Sequence, residues 1–428
     1  MLLKVPNFLL NLRSVAFSVT SRTNAALAIV VLLSIVSVVA VGPVGAESSS
    51  TWEDLERKAE QAFVDGDLEQ SRKFWMDALK EAEKGGKSDL LNVATTLNQL
   101  NHLFVATEEY GKSYGYLKRA LSIRREHLGE YHLLTAETMG NLALVSHKLG
   151  HDHEAEELYK ESLKIKDKLF GEGSPESVVT MHNLANLYSL HRHYRKAKAL
   201  YEKVLKLDRA KYGPGHVEVV RDLISLGVNA YRCKKFEEAL KHFQEAEKMA
   251  GAQKTLYDRE LVPVYHYLAL SYGSLKRHDP AIRYHKLARK QGEDVHGKHH
   301  PANTFAIINL AQITDEMGDA EEAEELYLSA LKHEQAREPH DPYLLTETNL
   351  ELAQYYHRHD LDDQAEQFYR NALKNYDTLS EHKKRQLYEL PVAYAELLEK
   401  IGKKEEAREI SSKYLHLHSP HKDGHFRM

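Results

Sequence analysis

Few of the residue patterns that mark common catalytic or redox functions occur in this chain of 428 residues. Its single cysteine, Cys233, excludes any disulfide bond within the chain. Neither a Cys-x-x-Cys pair nor a His-Glu-x-x-His pair is present. The short segment Gly171-Glu172-Gly173 lies between two predicted helices, where it does not have the context of a phosphate-binding loop. The sequence therefore predicts no enzyme activity, no catalytic residues, no cofactor and no metal site.

An excess of charge of one sign is also lacking, since 58 Lys and Arg residues stand against 63 Asp and Glu residues. Without a basic excess there is no broad electrostatic attraction for phosphate backbones. We therefore predict no nucleic-acid partner. Mixed charges that make up 28% of the chain are instead typical of a solvated helical surface.

Histidine is the one residue type in excess, with 26 copies. Many histidines cluster near predicted turns, loops or the C-terminus: His151, His153, His191, His193, His296, His299, His300, His357, His359, His416, His418, His421 and His425. Closely spaced imidazoles can bind zinc or nickel, but a structural site usually needs four ligands in a fixed shell. We interpret them as polar surface residues, with adventitious metal binding by the tail as the alternative.

The chain repeats itself every 42 residues. Small side chains recur at this spacing without slippage, and one series is Ser71, Ser113, Ala155, Ala197, Ala239, Ala281, Ala323, Ala365 and Ala407. A fixed period of this length predicts a solenoid, in which each unit contacts mainly its neighbours.

Each 42-residue unit is predicted to form two antiparallel helices. In the third unit one apolar stripe ends at Gly150, and Ala155, Leu158 and Tyr159 begin the next. Gly150 suits a left-handed helix end, and Asp67 with Gln70 and Asp319 with Glu322 have the spacing of a helix N-cap. A small residue at each crossing lets the two backbones approach, and a bulky residue one turn later fills the adjoining space. His285 and Ser411 interrupt the bulky series, so we expect poorer packing there. The predicted fold class is all-α, with nine helix pairs.

This alternation of small and large residues resembles the tetratricopeptide repeat. The 42-residue period and the Asn-Leu-Ala segments at 141–143, 183–185 and 309–311 are similar to the subtype found in kinesin light chains. The resemblance covers the chain from about residue 52 onward. It implies a right-handed superhelical solenoid that binds proteins or peptides, with the first helix of each pair on the concave face.

The concave face implied by the resemblance is the surface predicted to bind a partner. The polar residues predicted to lie on it are Asn98, Gln99, Asn141, His182, Asn183, Asn186, Arg221, His266, Asn309, Gln312 and Gln354. An asparagine amide both donates and accepts hydrogen bonds, so it can pair with the main chain of an extended peptide. The alternative interpretation is that these amides only solvate the concave surface.

Residues 1–46 have the features of an export signal. No acidic residue precedes Glu47, and basic residues precede an apolar run at 25–41 and a small-residue exit that ends at Ala46. We expect an exported protein, periplasmic or extracellular. A run of about 17 apolar residues is also near the lower limit for a membrane helix, so an uncleaved anchor is the alternative. An organellar presequence is a third interpretation.

The predicted organisation therefore has four parts. A signal or anchor at 1–46 and a linker at 47–51 precede the repeats at 52–415, and a His-rich tail occupies 416–428. We predict a non-catalytic scaffold that binds a protein or peptide and contacts a membrane only if the first segment is retained. The alternatives are a membrane-anchored assembly scaffold that acts through its convex face or self-association, and an enzyme with a cryptic Glu/His site.

Overall fold

The structure, a computed structural model, describes residues 51–251, 257–298, 300–338 and 340–414. Every regular element within these ranges is an α-helix or a short 3-10 helix. The α-helices are α1 (Thr51–Val64), α2 (Leu68–Lys84), α3 (Leu90–Ala106), α4 (Tyr110–Leu128), α5 (Leu133–Lys148), α6 (Asp152–Phe170), α7 (Val178–Leu190), α8 (Tyr194–Tyr212), α9 (Val217–Arg232), α10 (Phe236–Gly251), α11 (Asp258–Ser274), α12 (His278–His296), α13 (Pro301–Glu316), α14 (Ala320–Gln335), α15 (Pro342–Arg358), α16 (Asp362–Tyr376), α17 (Glu381–Gln386), α18 (Glu389–Lys400) and α19 (Lys404–Tyr414).

These helices form two compact units. The N-terminal unit ends at Asp222 and the C-terminal unit begins at Leu223, so the division falls within α9. In each unit the two helices of a hairpin pack together, as in α5 with α6 and α15 with α16. The first helices of successive hairpins also contact each other, as in α3 with α5 and α13 with α15. The predicted all-α array of helix pairs is confirmed, with α17 as a short extra helix before the last pair.

The small residues at the predicted helix crossings are buried. Ala155 and Ala323, at matched positions of the two units, are both 0% exposed. At Gly227 an added Cβ would lie 2.5 Å from the Phe243 ring, so a side chain larger than hydrogen does not fit without movement. Close approach of the backbones at these crossings explains why the sequence keeps small residues there.

The turn within each hairpin contains one residue in the left-handed region. Its position repeats every 42 residues, at Gly66, Glu108, Gly150, Arg192, Lys234, Lys276, Gly318, Asp360 and Gly402, with φ between 57° and 88°. Glycine adopts this conformation without steric cost, whereas the five other residues adopt it at a cost of about 1 kcal/mol each. After the turn, the side chains of Asp67 and Asp319 accept hydrogen bonds from the backbone N–H groups of Gln70 (3.0 Å) and Glu322 (3.2 Å), as their spacing predicts.

The two predicted packing defects differ from each other. Ser411 is exposed, so the ninth hairpin lacks a bulky residue in that position. His285 is only 1% exposed, and neither of its ring nitrogens has a hydrogen-bond partner among the described residues. The site at His285 is therefore filled, and its defect is an unsatisfied polar group.

The predictions for both ends of the chain lie outside the described residues. This applies to the signal or anchor at 1–46, to most of the linker at 47–51, and to the tail at 416–428. Among the helices that the structure does describe, none combines the length and the apolar character needed to cross a bilayer.

Candidate functional site

In the N-terminal unit the predicted inward asparagines join successive first helices. The Nδ2 group of Asn141 on α5 donates to Oδ1 of Asn98 on α3 at 3.1 Å. Both side chains are partly exposed, as is Asn183 on α7, one repeat further along. These helices therefore present a row of amide groups, one from each successive repeat. We call Asn98, Asn141 and Asn183 the amide row.

A polar group lies next to the amide row where α7 faces α8 and α9. The Tyr201 hydroxyl donates to Oδ1 of Asn186 at 2.5 Å, and the His182 ring packs edge-on against Tyr201 with centroids 5.5 Å apart. Nδ1 of His182 is 3.8 Å from Oδ1 of Asp222, whose other oxygen is buried without a hydrogen-bond partner among the described residues. Arg221 pairs with Glu218 on its own helix at 2.8 Å.

In the C-terminal unit the matched polar residues are buried. His266 and Asn309 lie four repeats after Asn98 and Asn141, and they are 8% and 2% exposed. Nε2 of His266 and both side-chain polar atoms of Asn309 have no hydrogen-bond partner within the described residues. Gln312 donates to Glu351 across α13 and α15 at 2.9 Å. His266 and Asn309 therefore belong to the interior, whereas Gln312 and Gln354 are partly exposed.

Buried charged residues also link one repeat to the next, which the sequence analysis missed. Arg124 Nη1 donates to Thr138 Oγ1 at 2.7 Å, and Lys166 Nζ donates to Thr180 Oγ1 at 2.9 Å, one repeat later. We call this the inter-repeat position. Long charged side chains are seldom fully buried without a partner, and their recurrence every 42 residues was the signal available in the sequence.

Two carboxyl groups occupy the next inter-repeat position, Asp208 on α8 and Asp222 on α9. Burial, the charge of Asp222 and that of Glu218 raise the pKa of Asp208 to about 6. Burial likewise raises the pKa of Asp222, against the effect of His182. Asp208 therefore takes up its proton at a higher pH than an ordinary aspartate does.

A second polar cluster lies at the edge formed by the hairpin turns. The carboxylate of Asp152, the first residue of α6, lies 2.6 Å from Nδ1 of His147 through one oxygen and 3.0 Å from Nε2 of His191 through the other. Burial opposes ionisation of Asp152, but the hydrogen bonds from both imidazoles hold its pKa well below the usual range. His147 is in the last turn of α5 and His191 caps α7. We call these three residues the turn cluster.

The turn edge of the C-terminal unit carries a different group. Asp315 and His359 lie four repeats after His147 and His191. Nε2 of His359 is 2.7 Å from Oδ1 of Asp315, and Nη2 of Arg358 is 3.0 Å from Oδ2. At this edge the carboxylate stands at the position of His147, and it contacts one imidazole and one guanidinium instead of two imidazoles.

One catalytic pattern in the sequence was overlooked and does not form a catalytic site. Gly111-Lys112-Ser113-Tyr114-Gly115 has the Gly-x-Ser-x-Gly spacing of a nucleophile elbow. Ser113 lies within α4, is 0% exposed, and donates to Oδ1 of Asn101 at 2.7 Å. It is the small residue of a helix crossing, and the strand that precedes such an elbow is missing from this helical segment.

A surface groove lies on the second-helix side of the N-terminal unit, between α4 and α6. It encloses about 590 Å³. Apolar side chains of Leu121, Leu142 and Leu158 line it, together with charged groups that include Arg125 and Glu154. This groove offers a binding surface separate from the amide row.

Comparison with known proteins gives a consistent fold assignment. The sequence profile described as "Tetratricopeptide repeat" matches residues 102–168, 153–210, 194–252 and 260–336, together more than half of the chain. None of the curated proteins matches.

Several solved structures are similar in fold. The apo form of the quorum sensor NprR from B. thuringiensis is 15% identical, with 86% of this chain and 99% of that chain covered and a TM-score of 0.55. A Rap protein complexed with Competence and Sporulation Factor is 17% identical, with 86% and 95% covered and a TM-score of 0.50. A putative kinesin light chain from Podosopora anserina is 16% identical, with 49% and 100% covered and a TM-score of 0.44. At these identities the likeness to the first two structures shows the fold alone.

Proposed function

We propose, from the premise that this chain belongs to the tetratricopeptide-repeat family, that it is a non-catalytic scaffold which binds a protein or peptide. The proposed contact surface is the first-helix side of the N-terminal unit, centred on the amide row. No cofactor takes part in this function. The observation that carries the proposal is the partly exposed series of amides on α3, α5 and α7.

The amide row has the chemistry that an extended peptide needs. Each amide offers donors and an acceptor, and the main chain of a peptide carries both kinds of group. The bond between Asn141 and Asn98 uses one donor and one acceptor, so further hydrogen-bonding capacity is left on both side chains. The polar groups at Asn186 and His182 extend the surface next to Asn183.

A solved structure of similar fold supports this type of function. The Rap protein with a TM-score of 0.50 is complexed with Competence and Sporulation Factor. By analogy we propose capture of a partner by helix pairs in this chain. The location of the surface rests on the residues described above, because fold alone does not assign a site.

A peptide-display experiment tests this proposal. Random peptides displayed on phage are selected on the purified chain, and the enriched sequences are synthesised with a fluorophore for anisotropy titration. We expect Asn141→Leu and Asn183→Leu each to weaken peptide affinity about tenfold, because loss of paired amide contacts costs roughly 1.4 kcal/mol. Circular dichroism checks that both variants keep their helix content.

The matched control is Asn371→Leu, the same change at an exposed position of α16. It removes an amide from the second-helix surface and leaves the amide row intact, so peptide affinity should stay at the wild-type value. Equal affinity in all three variants, or the lack of any enriched peptide, would contradict the proposal.

The alternative assembly role has one observation in its favour, the groove between α4 and α6. An apolar base with charged groups around it suits a protein contact. Ser122→Trp, at an exposed residue of the groove, would then block self-association or partner assembly, as measured by light scattering, while peptide affinity is unchanged. If the amide-row variants act and this one does not, the concave-face proposal is favoured.

We also propose that the protein is exported, on the pattern in residues 1–46. Fractionation of the native cells followed by a carbonate wash of membranes distinguishes the two forms. A cleaved protein is released into the soluble exported fraction, whereas a protein anchored by residues 25–41 stays with the membrane. A full-length chain in the cytosolic fraction would contradict both.

A further inference from the structure

The turn cluster brings together donor groups from three helices. Asp152 lies at the start of α6, while His147 and His191 lie at the ends of α5 and α7. The ligand atoms of the three side chains all lie within 4.8 Å of one another. His147 and Asp152 meet across the turn of one hairpin, and repeat stacking brings His191 of the next hairpin to them.

The cluster is open enough for an ion to enter and leave. The His147, Asp152 and His191 side chains are 17%, 25% and 37% exposed. Both imidazoles sit at helix C-termini, where the free carbonyl groups favour a positive charge. The site is thus partly shielded from water yet reachable from it.

The donor set selects a class of metal. Two imidazoles and one carboxylate suit zinc and its neighbours in the first transition row, whereas Mg²⁺ and Ca²⁺ prefer all-oxygen sets. Tetrahedral zinc with bonds of about 2.0–2.1 Å needs ligand atoms roughly 3.3 Å apart. The two contacts of Asp152, at 2.6 and 3.0 Å, are hydrogen bonds made through different oxygens, so each would lengthen by a few tenths of an ångström around an ion. With that adjustment three bonds would form, and a fourth position would remain for water.

The matched edge of the C-terminal unit supplies an independent comparison. There Arg358 supplies a permanent cation at 3.0 Å from Asp315. The residue four repeats before Arg358 is Leu190, so the turn cluster has no guanidinium at that place. Its carboxylate faces two imidazoles, which bind a metal when neutral, whereas a guanidinium cannot act as a ligand.

We propose that His147, Asp152 and His191 bind a single Zn²⁺ ion that joins the ends of α5 and α7 to the start of α6. The ion would link the third hairpin to the fourth. Its proposed effect is to stiffen the surface that carries Asn141 and Asn183, since these residues lie on α5 and α7. The metal site stands independently of the proposed peptide function.

The test uses the full chain with its four tail histidines (416, 418, 421 and 425) changed to glutamine, which removes binding by the tail. Zn²⁺ is titrated by calorimetry, and thermal unfolding is followed with and without Zn²⁺ and, separately, Mg²⁺. We expect one saturable Zn²⁺ per chain and a rise in Tm of about 3 °C with Zn²⁺, because a ligand that binds only the folded state stabilises it. Mg²⁺ should give no shift.

Ligand variants locate the ion. His191→Gln and Asp152→Asn should each weaken Zn²⁺ binding at least roughly tenfold and remove the Tm shift. His359→Gln, the same change at the matched edge of the other unit, should leave both unchanged. His191 is the most exposed of the three ligands. We therefore expect His191→Gln to fold even if Asp152→Asn fails to fold.

A direct spectroscopic readout excludes binding elsewhere. With ¹⁵N-labelled histidine, Zn²⁺ should shift two imidazole resonances, and His147→Gln and His191→Gln should each remove one of them. If no Zn²⁺ binds, or if binding and spectra are the same in His191→Gln as in His359→Gln, the proposal is overturned.

Discussion

The N-terminal and C-terminal units use the same hairpin frame but place different polar groups at matched positions. Ala155 and Ala323 are four repeats apart and equally buried. Asn98 and Asn141 form a hydrogen bond, whereas His266 and Asn309 at the matched positions are buried with unpaired polar atoms. Apolar crossings therefore define the fold, and polar residues are free to differ between repeats.

The same difference recurs at the turn edge and at the inter-repeat position. The N-terminal unit has two imidazoles around Asp152, whereas the C-terminal unit has one imidazole and a guanidinium around Asp315. Arg124 and Lys166 link repeats in the first unit, while buried Glu334 occupies this position in the second. The two units thus differ in their electrostatics at every class of polar site described above.

The largest expected effect tests whether the helix crossings are packed equally tightly in both units. Ala155→Leu and Ala323→Leu should each destabilise the protein by about 3 kcal/mol, because a larger side chain overpacks a crossing that has no free volume. Urea denaturation followed by circular dichroism measures the loss. If the free energy of unfolding falls in one variant and not in the other, the two crossings are not equivalent.

The next effect concerns the buried acid at the inter-repeat position. The folded-state pKa of Asp208, about 6, lies above its ordinary value of 3.8. The folded chain holds this proton more tightly than the unfolded chain, so the stability it contributes below pH 3.8 is lost as the pH rises toward 6. Asp208→Asn should therefore raise stability by about 1–2 kcal/mol at pH 7, and the gain should disappear near pH 4. Urea denaturation at both pH values measures the gain.

The matched change in the C-terminal unit should have the opposite sign. Glu334 accepts a hydrogen bond from Thr304 and lies 3.7 Å from Arg337. Glu334→Gln removes the charge that faces this guanidinium, so we expect a loss of about 1 kcal/mol at pH 7. A gain in stability from Glu334→Gln would contradict the assigned difference between the two acids.

A smaller effect tests the difference between exposed and buried amides. Asn309→Leu replaces two unpaired buried polar atoms by an apolar group of similar size, so it should stabilise the protein by about 1 kcal/mol. Asn141→Leu loses the bond to Asn98 and should cost about 0.5 kcal/mol. Thermal and urea unfolding of both variants measure the changes. If both variants are equally destabilised, the Asn309 amide has a partner in solution.

The smallest effect concerns the left-handed turns. Arg192→Gly and Lys276→Gly should each stabilise by about 0.5 kcal/mol, since relief of steric strain at positive φ is partly offset by the flexibility of glycine in the unfolded chain. Gly150→Ala is the reverse change and should cost about 1 kcal/mol. Differential scanning calorimetry resolves these values as Tm shifts. A loss of stability in Arg192→Gly would mean that its side chain contributes more than its strained backbone costs.

The frame was predictable from sequence because it depends on side-chain size at a fixed period. The crossings at Ala155 and Ala323, the left-handed glycine at Gly150 and the cap at Asp67 all occur as the pattern indicates. The candidate site was less predictable, because burial depends on how hairpins stack. Asn141 and Asn309 share one sequence context, Asn-Leu-Ala, yet one is partly exposed and the other is 2% exposed.

The turn cluster was not predictable from local spacing. In the sequence the histidine nearest to His191 is His193, whereas the contact of His191 in the structure is Asp152 of the preceding hairpin. A comparison of residues one repeat apart would have been the better guide, because stacking brings such residues together.

The left-handed turn residue, repeated nine times at one interval, has a consequence for changes in chain length. Deleting one whole 42-residue segment, for example from Asp152 to His193, places Tyr194 directly after His151, where Asp152 stood. The 42-residue spacing between the remaining helix crossings is then unchanged. Removing a single residue inside α7 instead rotates all later side chains of that helix by about 100° and points its crossing alanine away from its neighbour. We therefore expect the chain to tolerate the loss or gain of a whole 42-residue segment better than the loss or gain of a single residue inside a helix.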